Sequence, residues 1–191
     1  FELNVFAPLD GSIFDSRSID FNVAVNREAD LKYNDNGDVR TLCNNCEGYT
    51  RSKTLGNGWH NLTILALDDD GDLLDSEKVE ILIDSDEPSI KHTLPKRNGF
   101  YEGFFQVGYG ELNPESVTLH YAGIDVTRTD CPFDFVLGEQ TCRFDIDLTQ
   151  YDGQELEYWF DVTDIAGNKD ESRADAFKVD LTMQKMRYIG N

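Results

Sequence analysis

Basic residues are scarce in this chain. Its 191 residues hold 17 Lys and Arg against 37 Asp and Glu, a net charge of −20 at pH 7. Such a surface repels phosphate, and no Lys/Arg run interleaved with aromatics offsets it, so nucleic acid is excluded as a partner. Anionic membrane surfaces are disfavoured for the same reason. Long apolar runs are missing too, and no stretch approaches the roughly 20 apolar residues of a bilayer-spanning helix. No secretory signal opens the chain, and a start at Phe1 without Met fits a mature, processed or trimmed product.

Catalytic signatures are also lacking. The chain has no Gly-x-Ser-x-Gly, Walker loop, His-Glu-x-x-His or dinucleotide glycine pattern. Its three histidines, His60, His92 and His120, are scattered singly. With so many carboxylates, a close pair of them arises by chance and says little about acid–base work. The expectation is a protein that is not an enzyme and needs no cofactor, calcium being the one ion to consider. Hydrophobic residues at 39% and aromatics at 12% are nevertheless too frequent for a disordered acidic tail. The chain therefore folds, as one large domain or two small ones.

An internal repeat decides for two. Gly58-Trp59-His60-Asn61-Leu62-Thr63-Ile64-Leu65-Ala66-Leu67-Asp68 parallels Gly153 to Asp164, and each run ends in an Asp-x-x-Gly turn, Asp68–Gly71 and Asp164–Gly167. From each turn glycine to a strand-ending aspartate is 13 residues, Gly71 to Asp84 and Gly167 to Asp180. Upstream, Pro8 matches Pro95, and Phe21-Asn22-Val23-Ala24-Val25 matches Phe105-Gln106-Val107-Gly108-Tyr109. Two copies of one module thus occupy 1–86 and 87–181, joined at Ser85-Asp86-Glu87-Pro88, with a tail at 182–191.

Within each copy the apolar period is two. Leu156, Tyr158, Phe160 and Val162 alternate with Glu155, Glu157, Trp159 and Asp161, and Ile19, Phe21, Val23 and Val25 do the same in the first copy. These runs are short and bounded by Gly, Asn, Asp or Pro, and no helical stripe of ten residues appears. The fold class is all-β, with about seven strands per module as in an immunoglobulin-like sandwich. The segment Leu148-x-x-Tyr151-Asp152-Gly153 through Tyr158-Trp159-Phe160-Asp161-Val162-Thr163-Asp164-Ile165-Ala166-Gly167-Asn168 resembles the penultimate strand and turn of immunoglobulin-like and fibronectin-III-like modules. Such modules occur in microbial, notably archaeal, cell-surface proteins, and Leu55 to Gly71 is the same element in the first copy. The resemblance implies two tandem antiparallel β-sandwich domains that act as spacers, adhesins, or subunits of surface layers and filaments. It departs from antibody domains in having no Cys…Trp…Cys framework, and shared fold alone does not supply function.

The four cysteines fall in two local pairs, Cys43/Cys46 and Cys131/Cys142. Three connectivities are open; pairing within each pair keeps both bridges inside one module. For Cys43-Asn44-Asn45-Cys46 the rivals are a redox motif or a zinc site. A second CxxC, paired histidines or a βαβ context would be needed, and Glu47-Gly48-Tyr49-Thr50 reads as loop. Structural disulfides imply an oxidising, extracellular or cell-surface location.

Asp68, Asp70 and Asp72 invite a calcium reading, yet Ala66 stands where an EF-hand needs its first ligand. The alternative is a turn whose aspartates bond their own backbone. Asp84 and Asp86 form a second acidic set that could hold calcium with a carboxylate from a neighbouring loop, or simply be solvated. Asn61-Leu62-Thr63 is an N-glycosylation sequon. Counting back from the turn aligns Ala66, Ile64 and Leu62 with inward Val162, Phe160 and Tyr158, which sends Asn61 and Thr63 outward. The same register places Trp59, Leu65, Leu67 and Leu82 on the outer face, a candidate contact stripe. The tail holds both methionines and two basic residues, so Met183, Met186, Tyr188 and Ile189 form a segment suited to adding a strand to an acidic neighbour.

Two functions remain open. One is a structural surface protein, building a filament, surface layer or stalk by self-association of identical protomers. The other is an adhesin recognising glycan or cell-surface protein, with or without calcium.

Overall fold

The computed structural model describes residues 1–182, so the tail residues Met183, Met186, Tyr188 and Ile189 lie outside the described residues. The chain divides into two compact units, Phe1–Asp86 and the residues from Glu87 onward. Both are all-β.

Unit one contains β1 (Leu3–Ala7), β2 (Ile13–Phe14), β3 (Ser18–Asp35), β4 (Asp38–Thr54), β5 (Gly58–Leu67) and β6 (Leu73–Ile83). Strand β3 has 18 residues and β4 has 17, well beyond the roughly 3–10 usual in globular proteins. Neither runs straight. The rings of Phe21 and Tyr33, both on β3, have centroids 5.1 Å apart. A straight strand would separate them by about 40 Å. The pairing shows how β3 folds over: its first half lies between β1 and the second half of β4, its second half between the first half of β4 and β5. β6 continues that layer beyond β5, and Ile13–Phe14 adds a short parallel pairing at Leu82–Ile83. One continuous ladder thus forms both layers of a sandwich. The period of two survives the bend, so Ile19, Phe21, Val23 and Val25 meet Ala29, Leu31 and Tyr33 in one core with Leu62, Ile64, Ala66, Val79, Ile81 and Ile83.

The bends coincide with breaks in register. β3 shifts between Ala24 and Ala29, and between Cys43 and Cys46 β4 sets two residues, Asn44 and Asn45, against Asp30 alone. That bulge is closed by the Cys43–Cys46 disulfide. Asn45 turns there with φ +47°, and its N–H donates to Asp30 Oδ1 at 2.9 Å. Just past the corner the strands crowd: a Cβ on Gly48 would sit 2.9 Å from the Val23 carbonyl oxygen, so only glycine fits.

Unit two separates the same plan into distinct strands. β7 (Ser89–Leu94), β8 (Phe104–Gly110), β11 (Phe133–Asp134) and β12 (Glu139–Asp145) form one layer in the order β11-β12-β8-β7. β9 (Pro114–Tyr121), β10 (Ile124–Arg128), β13 (Glu155–Asp164), β14 (Lys169–Glu171) and β15 (Asp175–Lys178) form the other. β8 and β9 correspond to the two halves of β3, and Asn113-Pro114 interrupts the crossing that unit one makes without a break. Inward Phe105 gathers Tyr101, Tyr121, Tyr158 and Phe177 with ring centroids 5.0–5.7 Å away. The Cys131–Cys142 disulfide ties the segment between β10 and β12 to the core, where Cys142 is fully buried. Both disulfides therefore stand at the same place in the plan, where the chain passes from the outer strand of one layer to the outer strand of the other.

Loop closure entropy ranks the two bridges. Four and 12 residues are enclosed, which in the chain-entropy treatment amounts to about 2 and about 3 kcal/mol respectively. Denaturant unfolding of Cys43→Ser/Cys46→Ser and Cys131→Ser/Cys142→Ser variants is expected to show both destabilised, the second more. Equal stability to the parent chain would contradict the role assigned to the crossings.

Candidate functional site

The crossing in unit two carries ten residues between its cysteines, against two in unit one. The extra chain forms a small hairpin. Phe133 and Asp134 pair with Gln140 and Glu139, and Thr141 N–H donates to the Pro132 carbonyl at 2.9 Å. Asp134 organises the tip: its Oδ1 accepts from the Val136 and Leu137 N–H groups at 2.8 and 3.1 Å, and its carbonyl accepts from Gly138 N–H at 2.8 Å. Gly138 adopts φ +70°, the left-handed conformation that closes the turn. With the disulfide across its base, the loop presents Phe135, Val136 and Leu137 at 90%, 94% and 58% exposure. Phe133 packs edge-on against Phe135, with centroids 5.1 Å apart. An ordered tip that holds three consecutive apolar side chains in water is a contact surface in form. Each forgoes about 1.5–3 kcal/mol of burial until a partner covers it.

The opposite end of unit two has a receptive shape. Leu94, Pro95, Lys96, Gly99, Phe100, Glu102 and Phe104 line an open cleft of about 240 Å³. The register places it: Gln140, next to the loop, pairs with Tyr109, whereas Asp145 pairs with Phe104 at the cleft. Loop tip and cleft thus lie at opposite ends of β8, separated by about 20 Å of strand. Arg143 lies over the Phe104 ring at 3.8 Å, and Phe100 is exposed. The last strand, β15, also runs toward this end: Lys178 pairs with Glu155, and Asn98 N–H donates to the Ala176 carbonyl at 3.2 Å.

The outer face of β9 and β13 holds a polar cluster. The His120 ring stacks on Trp159 at 4.9 Å and 11°. Its Nδ1 meets Asp125 at 2.7 Å and its Nε2 meets Asp161 at 3.0 Å, while Lys169 Nζ reaches Asp161 at 2.5 Å. Burial pushes the Asp161 carboxyl up, but the Lys169 and His120 contacts outweigh it and hold the group below the usual carboxylate range. Inside the same unit, burial pushes the Tyr158 phenol up to about 12, and its hydroxyl donates to the Pro95 carbonyl.

The acidic turns are backbone devices. Asp68 Oδ1 accepts from the Asp70 and Asp72 N–H groups at 3.1 and 2.9 Å. Asp164 Oδ1 accepts from Ala166 and Asn168 at 2.9 Å each, with Gly71 and Gly167 both at positive φ. These bonds engage Asp68 and Asp164 within their own turns; Asp70 and Asp72 are exposed. Asp84 is buried, and its N–H donates to the Phe14 carbonyl at 2.9 Å, while Asp86 is exposed. The expected outer stripe needs correction. Leu82 is 2% exposed, buried at the point where Ile13–Phe14 pairs alongside it, a neighbour that alternation in β6 cannot reveal. Leu65 and Leu67 are half-buried, and Asn61 and Thr63 part them from Trp59 by about 20 Å of strand. Trp59, opposite Leu82 on β6, is 56% exposed. The Phe133–Leu137 tip escaped the sequence reading because its Phe-Asp-Phe alternation imitates a strand. The unequal spacing of the two cysteine pairs was the usable signal.

No family model matches the chain, and no curated protein matches it in sequence. Solved structures do resemble it. Domains I67–I69 of titin, in an E-to-A variant, align over 93% of this chain and 65% of that one, at 13% identity and a TM-score of 0.53. The fibronectin(III)-like modules of Clostridium thermocellum CbhA align over 94% of both chains at 13% identity and a TM-score of 0.47. A Bacteroides ovatus mixed-linkage glucan utilisation protein, SGBP-B, solved with a heptasaccharide, aligns over 93% of this chain and 48% of that one, at 14% identity and a TM-score of 0.35. The titin likeness establishes the fold, tandem immunoglobulin-like sandwiches, and at this identity nothing further. A shared fold does not by itself supply function. Among the described residues no helix is long and apolar enough to cross a membrane.

Asp161 sets a pH dependence. A carboxyl held below its unfolded value of about 3.9 contributes stability above that pH, and the contribution is lost as pH falls through the folded value. Asp161→Asn is expected to destabilise unit two by about 1–3 kcal/mol at pH 7, with the gap from the parent chain narrowing below about pH 4. Calorimetry of both chains at pH 7 and pH 3 checks this; a gap that stays constant would refute it.

Proposed function

We propose that this chain is a non-enzymatic extracellular structural protein, a building block of a cell-surface filament, layer or stalk held together by contacts between identical protomers. The carrying observation is that unit two has an ordered apolar tip at one end and an apolar cleft at the other. Because these two surfaces differ, a contact between them is heterologous, and a heterologous contact propagates into a ring or an open fibre. Charge runs the same way. Asp130, Asp134 and Glu139 flank the tip, whereas Lys96 and Arg97 stand at the cleft's end beside Glu102. The two disulfides support the extracellular part of the reading, since such bridges persist in oxidising compartments.

Phe135→Asp/Val136→Asp disables the tip and Phe100→Asp disables the cleft, each at exposed positions that leave the core alone. Negative-stain microscopy and sedimentation are expected to show ordered assembly for the parent chain and its loss in each variant, with unchanged melting. Removing the burial of one such anchor corresponds to about 10–100-fold weaker association. An equimolar mixture of the two variants, which retains one tip and one cleft, is expected to give dimers without fibres. A parent chain that stays monomeric at all concentrations, or variants that assemble normally, would sink the proposal.

A further inference from the structure

The outer face of β5 in unit one is built around a single exposed aromatic. Trp59, Asn61 and Thr63 follow one another at alternate positions of the strand, while His60, Leu62 and Ile64 between them are buried. Alternate residues of a strand share a face, about 6–7 Å apart. The indole therefore stands one side-chain spacing from the acceptor asparagine of the Asn61-Leu62-Thr63 sequon, on the same side of the sheet. Trp59 is 56% exposed, and no ring contact involves it among the described residues.

The β3–β4 turn frames this spot. Asn36, in the left-handed conformation at φ +52°, donates from Nδ2 to the Trp59 carbonyl at 3.3 Å. Its Oδ1 accepts from the Asn61 N–H at 3.4 Å and from Asn61 Nδ2 at 3.5 Å. Asn36 thereby holds the Asn61 amide alongside the face that Trp59 occupies. Glu80 and Asn34, on the neighbouring strands, keep the surroundings polar and solvated.

The geometry points to Asn61 as the site of an N-linked glycan whose first sugar packs its apolar face of ring C–H groups on the Trp59 indole. The donor class is a polyprenyl-phosphate- or polyprenyl-diphosphate-linked oligosaccharide. The bond from sugar C1 to the lipid phosphate oxygen breaks, the C1–Nδ2 bond forms, and the amide gives up one proton as the lipid phosphate leaves. The amide keeps its second N–H, so the contact to Asn36 Oδ1 survives glycosylation. Burial of a large aromatic face under the sugar makes the glycan part of the fold of unit one.

Two measurements test this. Peptide mass spectrometry of the chain from its source organism is expected to find a hexose- or hexosamine-bearing Asn61. A double-mutant cycle then compares the parent chain, Asn61→Gln, Trp59→Ala and the double variant, all from a host that N-glycosylates secreted proteins. Loss of the glycan is expected to lower the melting temperature of unit one when Trp59 is present and to leave it unchanged in Trp59→Ala. The same four chains made without glycosylation are expected to show no coupling. An unmodified Asn61 peptide overturns the site. A glycan whose loss has the same effect with and without Trp59, or coupling that persists in the unglycosylated chains, overturns the packing.

Discussion

A two-layer β fold has to carry its chain from one layer to the other, and in both units that crossing is the constraint on which the rest depends. Unit one meets it by bending β3 and β4 so sharply that Phe21 and Tyr33 of one strand touch across the core. The bend demands a break in the ladder, and the break sits at Cys43–Cys46, where the disulfide, the left-handed Asn45 and the side-chain-free Gly48 occur within six residues. Unit two meets it with separate strands, and its disulfide closes over a longer excursion. The bridges are thus answers to one geometric problem that recurs because the module recurs.

The longer excursion is also where the two copies stop being equivalent. A bridge across the base and the Asp134 hydrogen bonds make the inserted chain ordered enough to display apolar side chains. Loops positioned by a rigid scaffold are where modules of this architecture diverge in role. Most of the −20 charge is spread over outer faces and turns, and much of it is engaged locally: Asp68 and Asp164 in their turns, Asp161 with Lys169 and His120, Asp38 with Arg40. The acidic surface therefore keeps the modules solvated.

Much of the fold was legible. Alternation at Ile19–Val25 and at Leu156–Val162 marked buried faces that the structure also buries, and the matched Asp-x-x-Gly turns marked equivalent hairpins because an aspartate that caps its own backbone needs a positive-φ residue three places on. Continuity of β3 was not legible, since Asn26-Arg27-Glu28 reads as loop by composition and becomes strand only when β4 bends with it. Leu82 was misplaced for a related reason: period two assigns a face, and a face becomes buried or exposed according to what lies beside it.

The sequence by itself determined the all-β class, the two-fold repeat, the local character of the cysteine pairs and the face on which Asn61 and Trp59 stand. These depend on spacing along one strand or one turn, and such spacing is written in residue order. Tertiary structure alone decided that Leu82 is covered, that Asp164 is fully buried, and that the tip at Phe135 and the cleft at Phe100 face opposite ends of one module. Those properties belong to pairs of segments distant in the chain. Their register follows from the closing of the core, which no single stretch of residues specifies.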